Sequence, residues 1–175
     1  MKERIRIKIK TSIKDLYSFM LYHTYTSFNG LFGLACGILC LIMGIAFAER
    51  LKSWFLIADV IGVWYTIGTP VILYMKAVKQ AKNSMVFHND IIYFMDNDGF
   101  TVRVAQESAR SLWSEVTRVA HVGNRIFIYM GRKNAHILPI DQLDAQTDEV
   151  VELIKASVPQ NKLKGKIFKD GKDNK

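Results

Sequence analysis

Two long apolar segments dominate the hydrophobic pattern of the chain. Residues 28–48 contain no charged side chain, and residues 54–75 contain only one, Asp59. Each segment exceeds the roughly 20 residues that a helix needs to cross a hydrocarbon core of about 30 Å. Only five residues separate the two segments. The pattern therefore predicts two transmembrane helices, 28–48 and 54–75, that form an antiparallel hairpin with both chain ends on one side of the membrane.

The flanking charges predict the orientation of these helices. Nine Lys or Arg residues lie within 1–27 and 76–84, whereas the short connection carries two, Arg50 and Lys52. Cytoplasmic flanks carry the excess of cations in membrane proteins. We therefore expect a multi-pass protein of the cell membrane with both termini in the cytoplasm. A cleaved secretory signal ending at Ala48 is the alternative, but the apolar run is longer than a signal core and a second run follows.

Small residues recur at four-residue intervals inside both segments. This spacing lets two helices approach closely in lipid. A metal or redox role for the two cysteines is the alternative, but no His or carboxylate lies at a matching depth. The predicted helix-packing residues are Gly33, Cys36, Gly37, Cys40, Gly44, Ala58 and Gly62.

Asp59 is the single charged residue inside a predicted span. An intramembrane carboxylate typically marks an ion pathway or a polar partner. It also lies about 7.5 Å along the helix from Trp54, close enough for contact with interfacial water, Arg50 or Lys52. We therefore treat Asp59 as a candidate intramembrane polar site, with a local interfacial role as the alternative.

The N-terminal segment has a different period. Residues 4–10 alternate strictly between cations and isoleucines, which is typical of a strand with one buried face. A helix follows, with Thr11 or Ser12 as its cap and apolar residues at helical spacing to about Ser27. Because this helix leads into the first span, we expect residues 1–27 to form a basic strand and an interfacial amphipathic helix.

The pattern changes again after residue 84, to short strands separated by turns. The turns are rich in Asn, Asp and Gly, which tolerate left-handed backbone. One helix follows, with Thr147 as its predicted cap and its end before Pro159. The predicted strands are 85–88, 91–95, 100–105, 112–121, 125–130 and 135–138. The predicted fold is thus a transmembrane hairpin plus a small antiparallel α+β domain, 85–158. This domain has six predicted strands, or seven if the N-terminal strand joins its sheet.

Composition and charge narrow the classes of function. The chain of 175 residues has a net charge of +8 and is 50% hydrophobic. Residues 85–159, however, carry seven Lys or Arg against ten Asp or Glu, so they lack the basic surface that nucleic-acid binding requires. Three prolines and two cysteines exclude collagen-like chains and disulfide scaffolds. We expect no nucleic-acid partner.

Three short motifs resemble the YcxB-like membrane proteins of bacteria. The motifs are Ile92–Phe100, Trp113–Val116 and Ile137–Pro139, and they follow two spans and precede a C-terminal helix. The resemblance implies a domain related to bacterial pleckstrin-homology domains, with seven strands capped by a helix. The chain departs from the family pattern at Ile140, where a basic residue commonly follows the proline. The resemblance implies no catalytic residues.

No motif indicates an enzyme. His23, His88, His121 and His136 do not lie at metal-ligand spacing. Residues 96–99 suit a hairpin turn and lack the spaced ligands of a calcium loop. A glycine-rich phosphate loop and a nucleophile elbow are also missing from the sequence. We expect a non-enzymatic protein with no catalytic, cofactor-binding or metal-binding residues.

Several residues are candidates for contact with a partner or lipid. Trp113 is either a core aromatic or an exposed binding residue. Residues 160–175 form a predicted basic, disordered tail, whose cations are suited to anionic lipid. The candidate contact residues are Trp113, Arg132, Lys133, Lys162, Lys164 and Lys166.

The expected function is that of a membrane-anchored binding or scaffold protein. Its domain would lie at the cytoplasmic leaflet, with the lipid bilayer, anionic lipid or an unidentified protein as partner. One alternative is a membrane-defence or immunity factor that meets a membrane-active peptide through its small-residue helix face. The other is an accessory subunit of a transporter that uses Asp59.

Overall fold

The computed structural model describes residues 4–46, 53–131 and 134–168. The chain divides into two compact units. The first unit combines Met1–Leu16 with Ala81–Lys175, and the second is Tyr17–Gln80. The N-terminal strand therefore belongs to the same unit as the C-terminal half of the chain.

The first unit contains a four-stranded antiparallel sheet. Its strands are β1 (Ile5–Ile9), β2 (Ile91–Met95), β3 (Gly99–Val104) and β4 (Glu107–Leu112), in that spatial order. Ile7 of β1 lies opposite Tyr93 of β2, and both side chains are buried. The alternation at the N-terminus thus marked a strand correctly, and that strand pairs with β2.

A second sheet and a helix complete this unit. Strands β5 (Arg118–Val122), β6 (Arg125–Tyr129) and β7 (Ala135–Pro139) are antiparallel, and the two-residue β8 (Leu163–Lys164) runs parallel to β5. The C-terminal helix, Thr147–Ser157, buries Val150, Val151 and Ile154 in a core shared with both sheets. The predicted antiparallel sheets and the predicted C-terminal helix are confirmed.

Two strand predictions were wrong. Residues 85–88 form a short helix, and the predicted strand 112–121 is interrupted by a turn of 3-10 helix at Trp113–Glu115. The Glu115 carboxylate accepts the backbone N–H of Leu112, which ends β4 and starts this turn. Strand β4 itself was missed, because it is an exposed edge strand with little apolar alternation.

Two details at the C-terminus also differ from the prediction. Thr147 is the first residue of its helix rather than the cap, and its hydroxyl donates to the carbonyl of Asp144. The prediction of a disordered tail is wrong for residues 160–168, where β8 pairs with β5 and Phe168 is 1% exposed. Residues 169–175 lie outside the described residues.

The second unit is helical. Its elements are α1 (Ile13–Tyr25, which begins in the first unit), α2 (Phe28–Ala46), α3 (Ser53–Val63), a π-helical turn (Trp64–Gly68) and α4 (Thr69–Asn83, which ends in the first unit). Pro70 has no N–H to donate to the preceding turn, which explains the wider π-helical turn directly before it. The stretches Phe28–Ala46 and Leu56–Asn83 are long and apolar enough to cross a membrane. The second helix continues beyond residue 75 to Asn83. Residues 47–52 lie outside the described residues.

Candidate functional site

The predicted packing glycines lie where the two apolar helices meet. Gly33, Gly37 and Gly44 are the buried residues of α2. A Cβ atom on Gly37 would lie 2.7 Å from the Cβ atom of Tyr65 and 3.4 Å from the Gly62 carbonyl oxygen, so these backbones approach too closely for a larger residue. Cys36 and Cys40 are half-buried and form no disulfide within the described residues.

Asp59 lies beside Gly44 at the same helix contact. A Cβ atom on Gly44 would overlap the Asp59 carboxylate. In the part of the chain that the structure describes, Asp59 Oδ1 is buried and has no hydrogen-bond partner. The predicted local partners, Arg50 and Lys52, lie outside the described residues.

Of the two predicted roles of Trp113, the core role is confirmed and the role in partner contact is wrong. Its side chain is 3% exposed, and its indole N–H donates to the Asp96 carbonyl oxygen at 2.8 Å. Tryptophan is largely buried in most folds, and here the ring packs against Phe100 with 5.1 Å between the ring centroids. Trp113 therefore belongs to the core.

The remaining candidate contact residues lie in two segments of the chain. Arg132 and Lys133 lie outside the described residues. The Lys162 ammonium donates to the Val116 carbonyl oxygen at 2.7 Å and so fixes the segment before β8. Lys164 and Lys166 are exposed.

Sequence analysis missed a basic surface on the first sheet. Because β1 pairs with β2, its cations lie on the solvent side of the sheet, opposite Ile7 and Ile9. Arg6 lies opposite Phe94, Phe94 opposite Thr101, and Thr101 opposite Arg110. We define the basic face as Arg4, Arg6, Lys8, Phe94, Arg103 and Arg110.

Two arginines flank the aromatic ring at the centre of this face. The guanidinium carbons of Arg6 and Arg103 lie 5.9 Å and 5.4 Å from the centroid of the Phe94 ring. Both distances fall within the range of cation–π attraction. Among the described residues, neither arginine makes an ion pair with a carboxylate. Both charges are therefore held in place and available to an anion.

Asp96 organises one edge of the basic face. Its carboxylate accepts the N–H groups of Asp98 and Gly99 and the Arg110 guanidinium at 3.2 Å, and it lies 3.9 Å from Arg4. Burial favours the neutral acid, but these backbone donors and Arg110 together outweigh burial and lower the pKa of Asp96. Lys8 is paired with the exposed Asp90 at 2.8 Å, and that pairing lowers the pKa of Asp90.

The N-terminal and C-terminal segments together change the net charge of the folded unit. Its sequence ranges contain 20 Lys or Arg and 14 Asp or Glu, whereas residues 85–159 alone carry an acidic excess. The unit as a whole therefore carries a basic excess, although residues 85–159 alone do not.

His136 lines a separate groove of about 620 Å³, together with Val102, Val104 and Glu107. Its Nδ1 atom lies 3.4 Å from the Tyr93 hydroxyl, and its ring meets Phe100 edge to face. Burial lowers the pKa of His136 from 6.5, and burial also raises the pKa of Tyr93. Within residues 4–46, 53–131 and 134–168, no three His, Cys, Asp or Glu side chains are grouped to hold a metal ion.

The depressed pKa of His136 predicts that this unit is less stable in mild acid. The unfolded chain binds a proton near pH 6.5, whereas the buried imidazole binds one only at lower pH. Stability is therefore full well above pH 6.5 and is expected to fall as the pH drops below that value. Urea midpoints of the full chain in detergent should show this fall, and His136→Gln should reduce it. An unchanged pH dependence in His136→Gln would assign the effect to other groups.

One segment of the chain matches a known protein family. Residues 96–156 match the family model described as YcxB-like protein. The resemblance seen in the sequence is confirmed for this segment. The YcxB-like segment includes β3 to β7 and nearly all of the C-terminal helix, whereas β1, β2 and the two apolar helices precede it. Comparisons with curated proteins and with solved structures found no match.

Proposed function

We propose that the protein is a membrane-anchored, non-enzymatic binding protein that presents a pleckstrin-homology-like domain at the cytoplasmic leaflet. The observation that carries this proposal is the pairing of β1 with β2. Both apolar helices occur in the sequence between these two neighbouring strands. The helices are therefore an insertion within the domain, and two chain connections tie the domain to the membrane.

The order of elements supports a pleckstrin-homology-like fold. Four antiparallel strands form one sheet, three more form the antiparallel part of the second, and a helix follows the last of these. The two-residue β8 joins the second sheet after the helix. Seven strands capped by a helix are what the YcxB resemblance implies. A fold alone does not define an activity. The proposed role is therefore binding, for which the basic face supplies a surface.

The distribution of cations supports a transmembrane hairpin with the domain in the cytoplasm. Residues 1–27 and 76–84 carry nine Lys or Arg, against two in residues 49–53. In membrane proteins, an excess of Lys and Arg marks the flanks that stay in the cytoplasm. This asymmetry favours a cytoplasmic location for the outer ends of both spans, and hence for both halves of the domain.

Thiol labelling in intact cells tests this topology. Single cysteines replace Ser53, Ser84 or Asn174 in a Cys36→Ala/Cys40→Ala background, and a membrane-impermeant maleimide is added. We expect labelling of S53C alone in intact cells and of all three variants after permeabilisation. Labelling of S84C and N174C in intact cells would contradict a cytoplasmic domain.

A further inference from the structure

The basic face carries more positive charge than its neighbouring carboxylates neutralise. Asp96 lies between Arg4 and Arg110, and Asp90 is paired with Lys8. Arg6 and Arg103 have Phe94 between them and make no ion pair in the described part of the chain. Arg6 lies on β1 and Arg110 on β4, so three strand spacings, or about 14 Å, separate them across the sheet. The face is therefore a broad cationic surface rather than a single-ion pocket.

We infer that this face binds the anionic headgroups of phospholipids in the leaflet to which the domain is attached. The inference rests on the proposed function and adds a ligand class and a set of residues to it. A planar guanidinium can donate two hydrogen bonds to one phosphate. Arg6 and Arg103 are held against the Phe94 ring, so less conformational freedom is lost when they bind a headgroup.

Two features favour lipid over nucleic acid or an acidic protein. The two apolar helices keep bilayer lipid at a high effective concentration near the domain, so weak headgroup contacts suffice. Sheets that bind single-stranded nucleic acid present two or three aromatic rings for base stacking. Phe94 is the single aromatic residue on the basic face, and it is half-buried between two arginines.

Thiol protection in nanodiscs tests this inference. The full chain carries Cys36→Ala, Cys40→Ala and a single cysteine at Ser108, an exposed β4 residue that lies opposite Arg103. The protein is placed in nanodiscs of phosphatidylcholine alone or of phosphatidylcholine mixed with phosphatidylglycerol. We expect slower maleimide labelling of S108C in the phosphatidylglycerol discs, with the difference removed by high salt. A cysteine at Glu152 on the C-terminal helix is the reference position.

Charge variants then locate the contact. R6E/R103E is expected to abolish the protection, because each cation near an anionic surface strengthens binding by about five-fold. R6Q/R103Q removes the same charges without repulsion and should weaken protection in the same direction. K164E/K166E reverses two exposed cations of the C-terminal segment and serves as the matched control, with protection retained. Far-UV circular dichroism checks that each variant is folded.

Three other outcomes would contradict the inference. Equal labelling rates in the two disc compositions would exclude headgroup recognition by this face. Loss of protection in K164E/K166E but not in R6Q/R103Q would assign lipid contact to the C-terminal segment. Protection by added RNA or acidic protein in phosphatidylcholine discs, without an effect of phosphatidylglycerol, would identify a different ligand class. Nanodiscs expose both leaflets, so a failure here is distinct from a failure of the cellular topology.

Discussion

Replacing Trp113 with alanine is expected to lower the free energy of unfolding of the sheet-containing unit by about 3–5 kcal/mol. The side chain is 3% exposed and lies in the core shared by both sheets and the C-terminal helix. Truncation removes the contact with Phe100 and leaves a cavity where the turn after β4 meets the core. The indole N–H that satisfies the Asp96 carbonyl oxygen is also lost.

Pulse proteolysis of the full chain in urea and detergent measures this change. Trp113→Phe is the matched control, because it keeps one aromatic ring in the core while it removes the N–H donor and the second ring of the indole. We expect it to cost about 1–3 kcal/mol, the range for a buried acceptor left without its donor. A loss below about 1 kcal/mol in Trp113→Ala would show that this core does not depend on the tryptophan.

Removing the Arg125 guanidinium is expected to destabilise the same unit by about 3 kcal/mol. Arg125 Nε donates to Asp15 Oδ1 at 2.6 Å, and the Asp15 side chain is only 7% exposed. Asp15 Oδ2 also accepts from the backbone N–H and hydroxyl of Ser12, which forms a capping box at the start of α1. Arg125→Gln would leave a buried carboxylate without its cation.

A double-mutant cycle with Asp15→Asn isolates the pair. The double variant should be less destabilised than the sum of the single variants, because it no longer contains an unpaired buried charge. Lys8→Gln is the matched control, since Lys8 and Asp90 form an ion pair of similar length, 2.8 Å, in which both partners are exposed. We expect little change there. Equal effects of Arg125→Gln and Lys8→Gln would show that burial of the pair does not matter.

Elements with strong periodicity were predictable from the sequence. The strict alternation in β1, the strand 91–95 and the apolar face of the C-terminal helix all matched the structure closely. The edge strand β4 could not be found in this way, because its solvent exposure removes the alternation between apolar and polar residues. The short helix at 85–88 was read as a strand because four apolar or aromatic residues have no distinctive period.

The candidate surface was harder to predict, because it depends on pairing between distant parts of the chain. Arg6 lies opposite Phe94, and Asp15 contacts Arg125, 110 positions later. Counting charge along the sequence assigned Arg4, Arg6 and Lys8 to an N-terminal segment and left the domain acidic. These cations lie beside Phe94 and Arg103 only because of the register between β1 and β2, which the sequence does not reveal.

The position of β1 also has a consequence for biosynthesis. Ile9 pairs with Ile91, so the first strand leaves the ribosome 82 residues before its partner. Both apolar helices are synthesised in that interval, and the sheet cannot close until they are complete. Assembly of the domain is therefore a late step that follows synthesis of both apolar helices. A fragment that begins at residue 85 would lack β1 and leave β2 as an unprotected edge, a configuration that favours aggregation.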